Sequence, residues 1–303
     1  MPSELDFAVR SLEGDEILPA GAALSESLLE SIAAAGHRHR WEERVLLDHG
    51  TIRQDLARAA REGSYATVFG GEEGYLDLEL LMAKSRLPEP CLRGLDWFRT
   101  HDGYTYRHIL MVFALSCLLA RRLGHSDPTA AAEAAAGPLH DFGKLCIPLP
   151  TLLKRTVLTR RERRLLDQHT LAGHLLLCHY LGDSEDFIAR VARDHHERRD
   201  GSGYPRGIAL ADQFVEIVAV CDIYDALVSP RPYRRTPFDN RSALEELTAM
   251  AEAGRIGLDS VRLLVSMNRE DHPPPERCTV SLEKRGGPPE GNLYGLFSDQ
   301  DGS

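Results

Sequence analysis

Seven side chains of one chemical kind, His108, His140, Asp141, His169, His195, His196 and Asp222, fall on or at the ends of separate apolar-periodic segments. All offer an imidazole nitrogen or a carboxylate oxygen, and none offers a thiolate. Such donors suit iron, manganese or another divalent ion, and seven of them suffice for two ions bridged by a carboxylate. Neighbouring side chains on a helix diverge and cannot aim at one point. The doublets His140-Asp141 and His195-His196 are therefore expected at helix ends or kinks, with Gly143, Gly201 and Gly203 supplying the breaks. Asp222 lies among Ala219, Val220 and Ile223, where burying an unpaired charge is costly without a cation. A single histidine is more often a hydrogen-bonded core or surface group, so it is the series that argues for metal.

The rest of the composition bounds the reading. At 303 residues, 43% hydrophobic and 27% charged, the chain is long enough to bury a core without covalent staples. Its longest apolar stretch, 109 to 120, falls short of the roughly 20 residues of a membrane span and reads as a buried helix. The acidic N-terminus lacks a basic-then-apolar leader, so a cytoplasmic protein without membrane insertion is expected. Six scattered cysteines without a C-x-x-C pair imply neither disulfides nor a thiolate zinc site. A net charge of −10 argues against a nucleic-acid polymer as partner, and an anionic substrate would need local cations.

Periodicity and breakers predict an all-α packing. Helices are expected over 26–35, 51–61, 76–84, 108–123, 129–139, 160–180, 186–195, 213–227, 241–253 and 260–267, with a small strand or turn element within 5–24. Arg86 to Pro90 brings two prolines and a plausible boundary. The expected organisation is a small mixed or helical N-terminal module over 1–86, for regulation or dimerisation, a helical bundle over 87–270, and a flexible tail over 271–303.

The run GPLHDFGKLCIP at 137–148 resembles the HD signature of the HD phosphohydrolase superfamily. HHERRDGSGYP at 195–205 is similar to the long signature of its HD-GYP branch, bacterial phosphodiesterases acting on cyclic di-GMP. YTYRH at 104–108, QHTLAG at 168–173, VCDIYDAL at 220–227 and RPYR at 231–234 match that branch's other motifs in order, so the resemblance covers about residues 90 to 269. It implies an HD-type helical bundle in which His108, His140, Asp141, His169, His195, His196 and Asp222 bind metal, with Asp141 bridging two divalent ions, iron or manganese. It also implies that Lys144, Arg231 and Arg234 contact phosphate. Members with three metals carry Glu where this chain has Tyr104, so two are expected.

On that reading a hydroxide activated between the ions attacks phosphorus, with Asp141 and Lys144 catalytic, and opens cyclic di-GMP to pGpG, with further cleavage to GMP left open. Tyr204 is expected at the rim of the substrate site, and Glu197 and Asp200 are expected to organise the loop. Asp225 either orients a ligand histidine or pairs with an arginine. The basic run from Lys154 to Arg164 could attract an anionic dinucleotide but more usually means a solvated face, and His174 and His179 read as non-ligands. Ile109, Thr170, Arg199 and Pro230 depart from the usual pattern without removing a ligand. Two other readings stay open: a hydrolase of another cyclic dinucleotide or phosphate ester, and a non-catalytic receptor or scaffold for cyclic di-GMP. A diguanylate cyclase domain and a second copy of the chain are the candidate protein partners.

Overall fold

A computed structural model describes residues 4–39, 41–125, 136–231, 236–278 and 286–290. The expected all-α architecture is observed, with two small antiparallel strand pairs among the described residues. Three helices lacking a polar face form the centre, as follows for helices apolar all round. These are α6 (Gly103–Arg122), α9 (His169–Leu181) and α11 (Gln213–Val228). Asp102 caps α6 by accepting from the Thr105 amide, and Asp212 caps α11 by accepting from Phe214 and Val215. Helix α6 is apolar enough to cross a membrane by composition, but 78% of that stretch is buried inside the molecule, against α11.

The first 88 residues add strands β1 (Val9–Arg10), β2 (Glu16–Leu18), β3 (Glu43–Val45) and β4 (Arg86–Pro88), and helices α1 (Glu26–His37), α2 (Ile52–Ala59), α3 (Tyr65–Val68) and α4 (Gly71–Met82). Strands β1 and β2 pair antiparallel, as do β3 and β4, with Arg44 opposite Leu87. The Arg86–Pro90 stretch is thus strand β4 running into α5 (Glu89–His101), where Pro90 sits in the first turn and spends no hydrogen bond. Leu5, Leu46, Leu56, Leu78 and Leu87 are buried in the same continuous core as α6 and α9. Helix α1 packs so closely on α9 that a Cβ at Gly36 would lie 1.6 Å from the His179 carbonyl oxygen.

The stretch expected as one helix over 160–180 is two. Helix α8 (Arg160–Asp167) opens with a Thr159/Glu162 capping box, and α9 begins at His169. Between them the His169 ring bonds the Leu166 carbonyl and the Thr170 hydroxyl donates to Asp167 O. Side chains that bond back to preceding carbonyls compete with helix continuation and bend the chain here. One turn, α7 (Leu149–Leu152), precedes α8; α10 (Phe187–Asp194), α12 (Asn240–Glu252) and α13 (Leu258–Met267) complete the bundle. Of the helix expected at 129–139, only 136–139 is among the described residues, where Gly137–Leu139 forms a 3-10 turn. Residues 271–278, expected in the tail, return to the molecule: His272 reaches the Thr67 carbonyl and Cys278 is buried.

Candidate metal centre

The fold carries each member of the series to one place. His108 comes from α6, His169 from the first position of α9 and Asp222 from α11. The His140-Asp141 doublet is the joint between the 3-10 turns Gly137–Leu139 and Phe142–Cys146, while His195 is the C-cap residue of α10. Both doublets therefore lie where the helical path ends, as their chemistry requires. Gly143 serves closeness rather than a break, because a Cβ there would lie 1.9 Å from His169 O and 2.3 Å from Gly173 N. At Gly203 a Cβ would lie 2.3 Å from His196 O, so the second doublet too rests on a bare glycine.

His108, His140, Asp141, His169, His195 and Asp222 are buried, and His196 is partly so. Asp141 is the hub. Its carboxylate lies 3.2 Å from His169 Nε2, 3.4 Å from His140 Nε2, 3.6 Å from His108 Nε2 and 4.0 Å from His195 Nε2, and it accepts from Lys144. Asp222 lies 3.1 Å from His108 Nε2 and 3.9 Å from His196 Nδ1.

The outward nitrogens fix the tautomers. A carbonyl can only accept, so Nδ1 must donate from His140 to Gly137 O at 2.6 Å and from His169 to Leu166 O at 2.6 Å. The same holds from His195 to Val191 O and Ala192 O, while His108 Nδ1 is 2.6 Å from Asp225 Oδ2. His140, His169 and His195 each thus turn an Nε2 lone pair inward, while His108 Nε2 faces Asp222 Oδ1. His140 Nε2 is buried without any hydrogen-bond partner, and the Nε2 atoms of His169 and His195 are 3.4 Å apart. Lone pairs facing lone pairs in a dry pocket are unfavourable unless a cation lies between them, so this donor set fits divalent metal.

Among the described residues, three groups of donors lie within 4.8 Å of one another: His169, His195 and His196; His108, His140 and Asp222; and His140, Asp141 and His195. The first two share no residue, and the third, containing Asp141, joins them. For His195, His196 and the two carboxylates the electrostatics agree with ligation by neutral rings and ionised acids. Burial, and then the imidazoles of His140 and His169, push His195 down to about 3; burial and His195 push His196 well below the usual range. Burial opposes ionisation of Asp141 and Asp222, yet Lys144 and His140 for the first, and His108 for the second, hold both carboxyls well below the ordinary carboxylate value. For His108 burial opposes charge, but bonds to Asp222 and Asp225 outweigh it and raise the ring to about 9. The space between His108 and Asp222 therefore favours positive charge.

A cleft opens beside the centre, lined among others by Lys144, Lys154, Arg163, Arg198, Tyr204 and Arg231. Tyr204 stacks on His196 with centroids 4.5 Å apart. Tyr104 stacks on His108, and the Arg231 guanidinium lies 5.3 Å from the tyrosine ring centre. Arg234 lies outside the described residues. Glu197 organises the loop as expected, accepting from the Arg206 and Ile208 amides, and Asp200 accepts from Ser202. His174 bonds the Ala189 carbonyl, away from the centre.

The sequence left two roles undecided or unseen. Asp225 orients His108, a role its spacing from Asp222 allowed without deciding. Arg198, inside the signature run, lines the cleft while donating to the carbonyls of His195 and Glu197. The basic run expected as a solvated face is corrected in part: Lys154, paired to Glu162, and Arg163, paired to Asp167, border the cleft, because the chain breaks at Gln168 and turns α8 toward it.

A helical bundle that gathers imidazoles and carboxylates around a buried His-Asp doublet defines the HD class of metal proteins. Consistent with this, the HD domain family model matches residues 91–259. The chain belongs to the HD domain family, and its long signature run resembles that of the HD-GYP branch. It is 40% identical over 164 residues to a cyclic di-GMP phosphodiesterase of Pseudomonas aeruginosa, a match covering 54% of this chain and 38% of that protein. A cyclic di-GMP phosphodiesterase of Thermotoga maritima is 39% identical over 152 residues, covering 50% and 41%. The 3'3'-cGAMP-specific phosphodiesterase 1 of Vibrio cholerae is 36% identical over 133 residues, covering 43% and 30%. The matched region thus spans less than half the length of these relatives.

Proposed function

We propose that this chain is a metal-dependent phosphodiesterase that opens cyclic di-GMP to linear pGpG. The observation that carries the reading is the set of Nε2 atoms facing inward around Asp141, each ring held by a bond on its opposite side. We assign one divalent ion, iron or manganese, to His169, His195 and His196, a second to His108, His140 and Asp222, and the bridging position to Asp141. Such ions supply Lewis acidity toward phosphoryl oxygens and a water acidic enough to act near neutral pH.

The chain's own residues supply the rest. Lys144 spends one N–H on Asp141 and borders the cleft with the others, placed to meet charge that builds on the non-bridging oxygens. Arg231 offers a planar guanidinium to a second phosphate. Tyr204, fixed by its stack on His196, presents a ring edge and hydroxyl at the rim, where a nucleotide can be positioned. Arg234 is proposed to join Arg231 on the phosphates. A cytoplasmic setting suits the six free cysteines.

Similarity to 3'3'-cGAMP-specific relatives favours one second reading, hydrolysis of a different cyclic dinucleotide at the same centre. A substrate panel on manganese-loaded protein separates the two. Asp141→Ala should abolish both bound metal, read by elemental analysis, and release of pGpG, read by chromatography. Hydrolysis that survives this change would defeat the proposal.

A further inference from the structure

Behind His108 a hydrogen-bond chain leaves the matched family segment. Asp225, fully buried, accepts from His108 Nδ1 on one carboxylate oxygen; the other accepts from the Ser229 hydroxyl at 3.0 Å and from the Tyr65 hydroxyl. Tyr65 belongs to α3, in the N-terminal part of the chain and outside residues 91–259. It is itself buried, with its hydroxyl 3.3 Å from Ser229 Oγ and the Arg107 guanidinium 5.5 Å from its ring centre. Arg107, the residue before His108, donates to the same Ser229 hydroxyl.

A carboxylate held from both oxygens keeps its plane. A carboxylate bonded only to the histidine it orients can swing, and the ring swings with it. We infer that Tyr65 is a positioning residue that holds Asp225, and through it the His108 ring, so that the N-terminal segment forms the outer wall of the metal centre. The inference rests on the metal reading given above and adds a residue that the signature motifs do not contain. It also gives the N-terminal segment a physical route to the chemistry: any partner that displaces α3 loosens one metal position.

The test uses the full chain stripped of metal and titrated with manganese alone, free ion being read by electron paramagnetic resonance. Tyr65→Phe should weaken one manganese equivalent about tenfold, the lower end of what outer partners of metal-bound histidines contribute. Tyr75→Phe should not change binding, since that buried hydroxyl, from the same N-terminal region, has no partner to lose. If Tyr65 acts through Asp225, the double variant Tyr65→Phe/Asp225→Asn binds no more weakly than Asp225→Asn alone, whereas a merely structural role makes the losses add. Unchanged affinity in Tyr65→Phe, or additive losses, overturns the inference. Should Tyr65→Phe not fold, Ser229→Ala removes a donor from the same oxygen and carries the same expectation. Asp141→Ala is measured alongside: if it binds manganese as tightly as the wild type, the metal reading itself fails, whereas its loss with Tyr65→Phe intact removes the Tyr65 inference alone.

Discussion

Four of the five imidazoles of the centre, those of His108, His140, His169 and His195, have Nδ1 committed outward, and this decides what the other nitrogen can do. A neutral histidine whose Nδ1 donates to a fixed carbonyl keeps an Nε2 lone pair without having to choose a tautomer. The Asp141 carboxylate answers four such rings and one ammonium. The ammonium has a separable role. Lys144→Gln removes a cation that borders the cleft without removing a donor to metal. We expect kcat to fall about 100-fold with metal content retained, the size of effect seen on losing one well-placed transition-state donor. Steady-state kinetics paired with elemental analysis checks it; equal loss of metal and rate would make Lys144 a support of the site rather than a contributor to the chemistry.

At the scale of elements, the three central helices are apolar all round, and their buried titratable groups sit where a partner is built in. Helix α9 shows the rule away from the metal. His174 is buried on it, its Nδ1 donating to Ala189 O, and burial followed by the Arg193 charge lowers it to about 4 from an ordinary 6.5. The unfolded chain therefore binds a proton between these values that the folded chain refuses. Stability is complete above about pH 6.5 and declines as pH falls toward 4, by up to about 3 kcal/mol from this group. Denaturant unfolding of the wild type and of His174→Gln between pH 7 and 4.5 should show a shallower pH slope in the variant; parallel slopes would contradict the assignment. Helix boundaries followed the sequence where caps were present, as at Ser25, Asp212 and Thr159. They departed from it at Gln168, because side chains of His169 and Thr170 bond to carbonyls behind them, a choice that apolar periodicity does not record.

For the whole molecule, metal and fold are linked. The inward lone pairs of the centre repel in a shared core that also contains the N-terminal elements, so an ion that binds only the folded chain stabilises all of it. Manganese at about 100 times its Kd should add about 2.7 kcal/mol. For a chain of this size that corresponds to a rise in Tm of about 4 °C, reversed by chelator. Thermal melts with and without the ion check this, and a Tm indifferent to manganese would argue that the centre does not hold it. The amino-acid sequence by itself determined the donor set, because side-chain chemistry belongs to single residues, and it determined that the doublets lie at helix ends, because helical geometry is local. Only the tertiary structure decided that Asp225 faces His108, that Arg198 and Arg163 border the cleft, and that Tyr65 stands behind the metal position. Those neighbours are up to 160 residues apart in the chain, and what brings them together is the packing of buried helices against one another, which no local pattern encodes.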